Sequence, residues 1–304
     1  MLNEPAFQAR RYGWNADHKI VILTNFEFLS IYDATIIPSD TDNVNTALYK
    51  KYNFKEYVEK FDEIRNFISK ETVYSGKFDE IFSDETFSEN HHTQKVDAHF
   101  LSQINNWRLK ISNYLYPSLP NNNDEDFIAV LNDKVQSFIN QIIFLRICED
   151  RNLPLYHKLL ETTNDKNALI KLLKESDKRY NSGLFEDCSI YYDLDENLIN
   201  EIIEELYYPK TPYLFNIIEP NLLGKIYEQF LTKKLVVESG KIILTTKKDY
   251  ADRSIVSTPI EIVKYIVEKT IKPLCENKQP EEILNLKIAD IACGSGIFLE
   301  EAFD

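Results

Sequence analysis

The segment from Ile288 to Leu299 constrains the fold of this chain more than any other. It reads Ile-Ala-Asp-Ile-Ala-Cys-Gly-Ser-Gly-Ile-Phe-Leu, an apolar run followed by a turn that uses two of the chain's seven glycines. Glycine lets the backbone turn sharply and approach a ligand closely. A helix predicted from about Ile297 would offer its first amides to an anionic group such as a carboxylate. The pattern therefore predicts a ligand-binding strand, turn and helix.

The same residues resemble the S-adenosylmethionine loop of DNA adenine-N6 methyltransferases, which has the form Asp-Pro-Ala-Cys-Gly-Ser-Gly-x-Phe-Leu. A Gly-x-Gly alone is weak evidence, because ordinary strand-to-helix turns also use it. The longer string is more specific and departs from the family at Ile291, where a proline would fix φ. The resemblance implies the following cofactor-binding residues: Asp290, Ala292, Cys293, Gly294, Ser295, Gly296 and Phe298.

A second piece of such a cofactor pocket is, by the same resemblance, a Thr-Pro motif upstream of the glycines. The chain has Thr258 and Pro259 there, preceded by Ser257 where family members often carry tyrosine. Simple N-capping by Ser257 or Thr258 of a helix predicted over 260–270 explains the triplet about as well. The two roles are compatible.

Further upstream, the chain resembles type IIG restriction-modification enzymes, which are single chains that both cut and methylate DNA. Residues 223–231, Leu-Gly-Lys-Ile-Tyr-Glu-Gln-Phe-Leu, are similar to the helix that opens the methyltransferase region of these enzymes. Residues 96–108 and 131–153 are similar to their helical connector. Apolar spacing alone predicts only core helices in these stretches, which is also what a connector requires.

The N-terminus extends this likeness. The β-rich runs 19–25 and 28–33 predict a hairpin, and a short helix is predicted before them. Gln8 and Tyr12 on that helix are similar to the Gln-x-x-x-Tyr motif at the tail of a PD-(D/E)xK nuclease domain, although two fixed residues also fit an ordinary surface helix. Beyond Ala47, apolar residues at helical spacing up to Phe67 predict a helix, and helices are expected to dominate up to about residue 220.

The residues that perform the chemistry of that family are not found in these 304 residues. Metal-dependent cleavage needs clustered carboxylates for Mg²⁺, which the resemblance implies before Gln8. The Glu-x-Lys of Glu276 and Lys278 lies off any plausible nuclease strand. Adenine methylation in the family uses an Asn-Pro-Pro-Tyr motif, which the chain lacks. No catalytic residue is assigned, and truncation at both ends is expected.

Composition excludes several classes of protein. No apolar run approaches the length of about 20 residues that spans a membrane, and no secretory leader is recognisable, so a cytoplasmic protein is expected. Four scattered cysteines indicate neither zinc nor disulfides. His91 and His92 fit a solvated loop better than a metal site. The formal charge of −14 is unfavourable for binding DNA, so we expect the basic, sequence-reading part of the protein to lie elsewhere.

The sequence thus predicts an α+β, mainly helical chain in three parts. These are the C-terminal edge of a nuclease domain at 1–90, a helical connector at 91–220, and the first elements of a Rossmann-like methyltransferase domain at 221–304. The resemblance implies a parent enzyme that methylates adenine N6 in double-stranded DNA with S-adenosylmethionine and cleaves unmodified DNA with Mg²⁺, whereas the segment alone is expected to be inactive. Alternatives are a non-catalytic helical scaffold or binding module left by a shortened gene, and a methyltransferase acting on protein or RNA, against which the nuclease-like start argues.

Overall fold

The computed structural model of the chain describes residues 3–83, 95–118, 125–155, 158–218, 224, 232–248, 258–294 and 296–303. It combines helices with two small antiparallel sheets, which confirms the α+β, mainly helical prediction. The chain divides into two compact units. Unit 1 comprises residues 1–115 and 134–218, and unit 2 comprises residues 116–133 and 219–304.

Unit 1 begins with helix α1 and a three-stranded sheet of order β1-β2-β3. The predicted hairpin is confirmed, because β1 and β2 pair antiparallel with Ile22 opposite Ile31. A third strand follows where we predicted a change to helical structure, and this prediction was wrong for residues 48–53. The strand pairs with β2 through a register shift near Ile31. The elements are α1 (Asn3–Asn15), β1 (Ile20–Thr24), β2 (Phe28–Asp33) and β3 (Leu48–Asn53).

Three short helices cover one face of this sheet. Ile20, Ile31 and Tyr52 form a buried cluster with Phe82, and the predicted apolar residues Ile64 and Phe67 pack against it. Phe54 and Phe61, which were predicted on the same stripe, are instead largely exposed, because a 3-10 turn at 54–56 interrupts the helical spacing. The helices are α2 (Phe61–Ile68), α3 (Lys70–Tyr74) and α4 (Lys77–Ile81).

Longer helices form the main core of unit 1. Apolar side chains at three- and four-residue spacing, such as Phe100 and Ile104 or Phe138 and Ile142, are fully buried, as the periodicity requires. Asp165 accepts a hydrogen bond from the amide of Ala168 and so caps one of these helices. The helices are α5 (Val96–Leu115), α6 (Glu125–Asp150), of which residues 134–150 belong to unit 1, α7 (Lys166–Tyr180), α8 (Ile190–Asp193) and α9 (Glu196–Glu204).

Unit 2 contains the second predicted hairpin. Strands β4 (Lys233–Glu238) and β5 (Lys241–Thr246) pair antiparallel around Ser239 and Gly240, both of which have positive φ. This prediction is confirmed, whereas the helix predicted over 222–231 lies outside the described residues apart from Gly224. The unit continues with α10 (Ile260–Thr270), α11 (Lys272–Cys275), α12 (Pro280–Leu284) and α13 (Ile297–Phe303).

Candidate functional site

The glycine turn before α13 has the backbone conformation that its sequence predicts. Gly294 and Gly296 adopt φ values of +53° and +84°, a left-handed region that side chains disfavour. The Gly296 amide donates to the Cys293 carbonyl at 2.7 Å, and the helix begins at Ile297. A Cβ added at Gly296 would meet no atom within 4 Å, so the space above the turn is open. Ser295 lies outside the described residues.

The strand predicted before this turn does not form. Residues 286–290 have no regular secondary structure, and Ile291 and Ala292 are in a turn in which the Ala292 amide donates to Oδ1 of Asp290 at 3.0 Å. A strand satisfies its backbone groups by pairing with a neighbour, and no described residue pairs with this segment. The side chain of Ile291, which stands where the family has proline, is fully exposed.

An apolar groove of about 330 Å³ lies beside this segment, where α10 packs against α13. The groove brings together Asp290 and Phe298, two of the predicted cofactor residues. It does not include Thr258 or Pro259, which precede α10, because the groove lies at the other end of α10, from Ile266 to just beyond Thr270. Asp290 is the one ionisable residue of the lining. The remaining lining residues are aliphatic, aromatic or uncharged: Ile266, Val267, Thr270, Ile271, Ile288, Ala289, Ile291, Leu299 and Ala302.

The Thr-Pro motif precedes α10 as predicted, but neither of its side chains caps the helix. Pro259 occupies the N-cap position of α10 with no side-chain capping bond, and its carbonyl accepts from the amides of Ile262 and Val263. The prediction that Thr258 caps this helix was therefore wrong, since the extended backbone of Pro259 separates Thr258 from the first turn. Ser257 lies outside the described residues. Thr258 remains half-buried and Pro259 exposed.

The described residues fit S-adenosylmethionine in part. The open turn leaves room for a carboxylate, and Oδ2 of Asp290 forms no hydrogen bond with a described residue, so it could accept an ammonium group. The groove beside it is apolar and exposed, and its lining contains no second acidic side chain that could hold a ribose. The site therefore suits the amino-acid end of such a cofactor better than its nucleoside end.

The two residues of the nuclease-like motif lie on the exposed side of α1. Gln8 and Tyr12 are one helical turn apart, and Tyr12 lines an apolar groove of about 510 Å³ together with residues of β1 and of α2–α4. The opposite side of the helix is buried, and there Arg10 forms an ion pair with Asp42. The motif thus presents two exposed side chains on α1. The ion pair on the opposite, buried side of α1 helps to hold the helix in place, and we did not predict it from the sequence.

The histidines provide no metal site within the described residues. His91 and His92 lie outside them, while His99 is on α5, where its Nδ1 is 2.6 Å from the hydroxyl oxygen of Tyr213. Burial lowers the pKa of His99. The described part of the chain has no group of three or more metal-ligating side chains, and its four cysteines are free thiols.

The amino-acid sequence is 46% identical, over 310 aligned residues and 99% of the chain, to the type II restriction enzyme and methyltransferase RM.Eco57I of Escherichia coli. The predicted resemblance to restriction-modification enzymes is confirmed. The chain spans 30% of the length of that relative. No protein-family model matches the chain, and no solved structure matches it significantly. Among the described helices, none is both long and apolar enough to cross a membrane.

The stretch that resembles the connector of restriction-modification enzymes forms a buried polar cluster at the end of α6. Arg146 forms an ion pair with Asp150, donates from Nε to the Leu206 carbonyl at 3.1 Å, and lies over the ring of Tyr207. Glu149 accepts from the hydroxyl of Tyr207 and from the amide of Leu159. The cluster ties α6 to the segments on either side of α7–α9, so these charged residues fix the packing of the helices.

Arg151 extends the same cluster. Its guanidinium donates to the carbonyls of Phe215 and Ile218, at 3.4 and 2.9 Å, and Asp150 accepts from the amide of Phe215 at 3.0 Å. The sequence placed these residues at the end of a helix but gave no sign of their partners, which lie more than 60 residues further along the chain. The one sequence feature that could have indicated a buried polar cluster is the run of charged residues 149–151 at the end of an otherwise apolar helix.

Proposed function

We propose that this chain is a segment of an enzyme that methylates adenine N6 in double-stranded DNA with S-adenosylmethionine and cleaves unmodified DNA with Mg²⁺. The observation that carries the proposal is the 46% identity to a restriction enzyme and methyltransferase over 99% of the chain. The glycine turn supports the methyltransferase part, since its left-handed glycines leave open the space that a small anionic group needs. We place the protein in the cytoplasm, where such an enzyme would meet DNA.

Within this proposal, residues 1–90 are the C-terminal edge of a PD-(D/E)xK nuclease domain, residues 91–220 a helical connector, and residues 221–304 the start of a Rossmann-like methyltransferase domain. The small sheet behind α1 supports the first assignment. The buried polar cluster around Arg146 supports the second, because a connector needs a rigid core. The order of Thr258, α10, glycine turn and α13 supports the third.

Bound S-adenosylmethionine would supply an activated methyl group to the amine of adenine. In this proposal the Asp290 carboxylate would accept hydrogen bonds from the ammonium group of the cofactor, and the open space at the turn of Gly294 and Gly296 would hold its carboxylate. Phe298 and the apolar groove would exclude water beside the cofactor. By the family resemblance, Thr258 and Pro259 would contribute a second wall of the cofactor pocket. None of these residues carries out the transfer itself, so the segment alone is proposed to be inactive.

Methyl transfer is the direct test of this proposal. Incubation of the 304 residues with tritium-labelled S-adenosylmethionine and duplex DNA should leave the DNA unlabelled. A longer polypeptide that includes an in-frame Asn-Pro-Pro-Tyr downstream of Asp304 should label adenine in the same assay. Label in DNA from the segment alone would refute its inactivity, and a longer polypeptide that labels protein or RNA instead would refute the proposed substrate.

A non-catalytic scaffold is the second candidate, and the self-contained packing of unit 1 favours it. Helices α5 to α9 bury many apolar side chains together with their own polar cluster. A stop codon directly after Asp304 in the genome would favour this scaffold over the enzyme. A reading frame that continues through Asn-Pro-Pro-Tyr would exclude it.

A further inference from the structure

The hairpin of β4 and β5 has the opposite charge to the chain that carries it. Residues 232–248 contain five lysines and one glutamate, whereas the whole chain has a formal charge of −14. We call these residues the basic hairpin. A protein with a strongly negative total charge can approach a polyanion only through a local surface of positive charge. The basic hairpin is such a surface.

The strand register gathers four of the lysines at one end of the hairpin. Lys233 lies opposite Thr246 and Lys234 opposite Thr245, so Lys247 and Lys248 continue directly beside them. The Lys247 amide donates to the carbonyl of Thr232 at 2.9 Å, which extends the pairing to this end. The ladder therefore brings the backbone positions of the four lysines together, with Lys234 and Lys247 on one face of the hairpin and Lys233 on the other.

The hairpin is anchored by its apolar side chains. Leu235 and Ile242 are buried, while Lys234 and Lys248 are exposed and Lys247 is half-buried. An isolated two-stranded hairpin is only marginally stable, and burial of one side chain on each strand supplies part of the missing stability. The lysines therefore extend from a hairpin that is anchored by buried side chains.

Two carboxylates of unit 2 lie near the hairpin. Lys234 and Lys247 line a groove of about 790 Å³ whose other wall, on α6, includes Asp126 and Asp133. Ion pairs are found elsewhere among the described residues, but none of them places a carboxylate oxygen within 4 Å of the ammonium groups of Lys234, Lys247 and Lys248. Their charge remains available to an external anion.

The chemistry of the hairpin indicates the kind of anion. Residues 232–248 contain no aromatic side chain, so they offer no platform for stacking unpaired bases, on which single-stranded nucleic acids depend. They offer ammonium groups and the hydroxyls of Thr245 and Thr246, which are groups that contact phosphate oxygens. We propose that the basic hairpin binds the phosphate backbone of duplex DNA without reading its sequence. This inference rests on the proposed function, which makes DNA the substrate, and adds the surface that meets it.

Fluorescence anisotropy with a labelled 30-base-pair duplex tests this inference on the full 304-residue chain. The variant K233Q/K234Q/K247Q/K248Q removes the four gathered charges. The matched control, K171Q/K174Q/K178Q/R179Q, removes the same charge from exposed positions on α7. At low salt we expect the hairpin variant to bind at least about tenfold more weakly than wild type, with a smaller salt dependence, since each lost phosphate contact reduces the logarithmic slope by about 0.9. The control should change the affinity less than about twofold.

A charge-preserving variant separates charge from folding. K233R/K234R/K247R/K248R should bind the duplex within about twofold of wild type, because phosphate contacts need the charge more than the shape of the side chain. Equal weakening by the hairpin variant and the α7 control, or no salt-dependent binding by wild type, would overturn the inference. Neither result would bear on methyl transfer by the longer polypeptide, so the proposed function stands or fails separately.

Discussion

Arg146 holds the end of α6 by charge rather than by apolar contact. Its side chain is almost buried, and Asp150 and Glu149 lie within ion-pair distance of its guanidinium. Removal of one partner leaves buried carboxylates without compensation, which typically costs about 3 kcal/mol or more. We therefore expect Arg146→Met to lower the free energy of unfolding of unit 1 by about 3 kcal/mol. Urea titration followed by tryptophan fluorescence measures this, because both tryptophans, Trp14 and Trp107, belong to unit 1.

An exposed arginine provides the control for this prediction. Arg65 is 3.8 Å from Glu71, and both side chains are more than half exposed. Arg65→Met should change the free energy of unfolding by no more than about 0.5 kcal/mol, since solvent screens such pairs. Equal effects of the two substitutions would mean that the cluster around Arg146 contributes no more than a surface ion pair.

His99 makes unit 1 sensitive to mild acid. Its ring lies edge-on to Trp14, its Nδ1 is within hydrogen-bond distance of the Tyr213 hydroxyl, and burial lowers its pKa. The folded state therefore keeps the ring neutral at a pH where the unfolded chain, with an ordinary histidine pKa of about 6.5, takes up a proton. This stability is present above about pH 6.5 and is lost as the pH falls below it.

Comparison with a variant isolates this contribution. Between pH 7.5 and 5.5, wild type should lose more stability of unit 1 than His99→Gln, which cannot titrate. Urea midpoints from tryptophan fluorescence at each pH give the difference. Glu63, Glu71 and Asp187, whose pKa values are lowered by hydrogen bonds, titrate below this window in both proteins. Parallel pH profiles of the two proteins would contradict the role of His99.

The contact of α1 with the sheet depends on the absence of one side chain. A Cβ at Gly13 would lie 2.2 Å from Cγ1 of Val21 and 2.9 Å from Cβ of Ala34. Alanine favours helix over glycine by about 1 kcal/mol, whereas overpacking costs about 1–3 kcal/mol. We expect overpacking to dominate, so that Gly13→Ala lowers the free energy of unfolding by about 1 kcal/mol. The urea titration of unit 1 measures this change.

A double-mutant cycle identifies the cause. Val21→Ala removes the methyl group that is closest to the new Cβ, so the double variant should be less destabilised than the sum of the two single variants. Additive effects would show that the clash with Val21 is not what limits α1. Gln8→Ala on the exposed side of the same helix should be close to neutral.

Some elements could be predicted from the sequence because their cause is local. The hairpins at β1–β2 and β4–β5 follow from β-rich runs around short turns, and the buried positions of α6 follow from helical periodicity. Strand β3 was missed because its pairing with β2 passes through a register shift, and because Leu48–Asn53 lacks a clear alternation of apolar residues. The strand predicted at Ile288 does not form for a related reason, since a strand needs an adjacent strand to pair its backbone groups and its own sequence does not provide one.

The candidate site likewise has features that local sequence determines and features that depend on distant segments. The conformations of Gly294 and Gly296 follow from the residue type, and the structure has them. The partners of Asp290 and of the Thr-Pro motif depend on how distant segments meet, which a single sequence does not reveal. Arg10 and Arg146 are the clearest examples, because their buried acidic or carbonyl partners could not be identified from a charged residue on a helix.

At the scale of the whole molecule, the two units differ in how completely they bury their apolar surface. Unit 1 buries apolar side chains in its helices and in a cluster on its sheet, whereas in unit 2 Ile288, Ile291 and Leu299 remain exposed around the groove beside the glycine turn. Tight binding of a small cofactor requires a concave site that encloses most of its surface. A turn with one carboxylate and an exposed groove encloses little of it.

Affinity for S-adenosylmethionine should therefore be low. We expect a Kd of about 1 mM or weaker for the 304 residues, which corresponds to a binding free energy of about −4 kcal/mol. Isothermal titration calorimetry at high protein concentration measures it, with S-adenosylhomocysteine as a second ligand that lacks the methyl group. A micromolar Kd that Asp290→Asn weakens would contradict this expectation, because it would mean that the turn and groove already form a finished pocket. A weak Kd that the same substitution weakens further would show that the turn is the anchor around which the rest of the pocket is built.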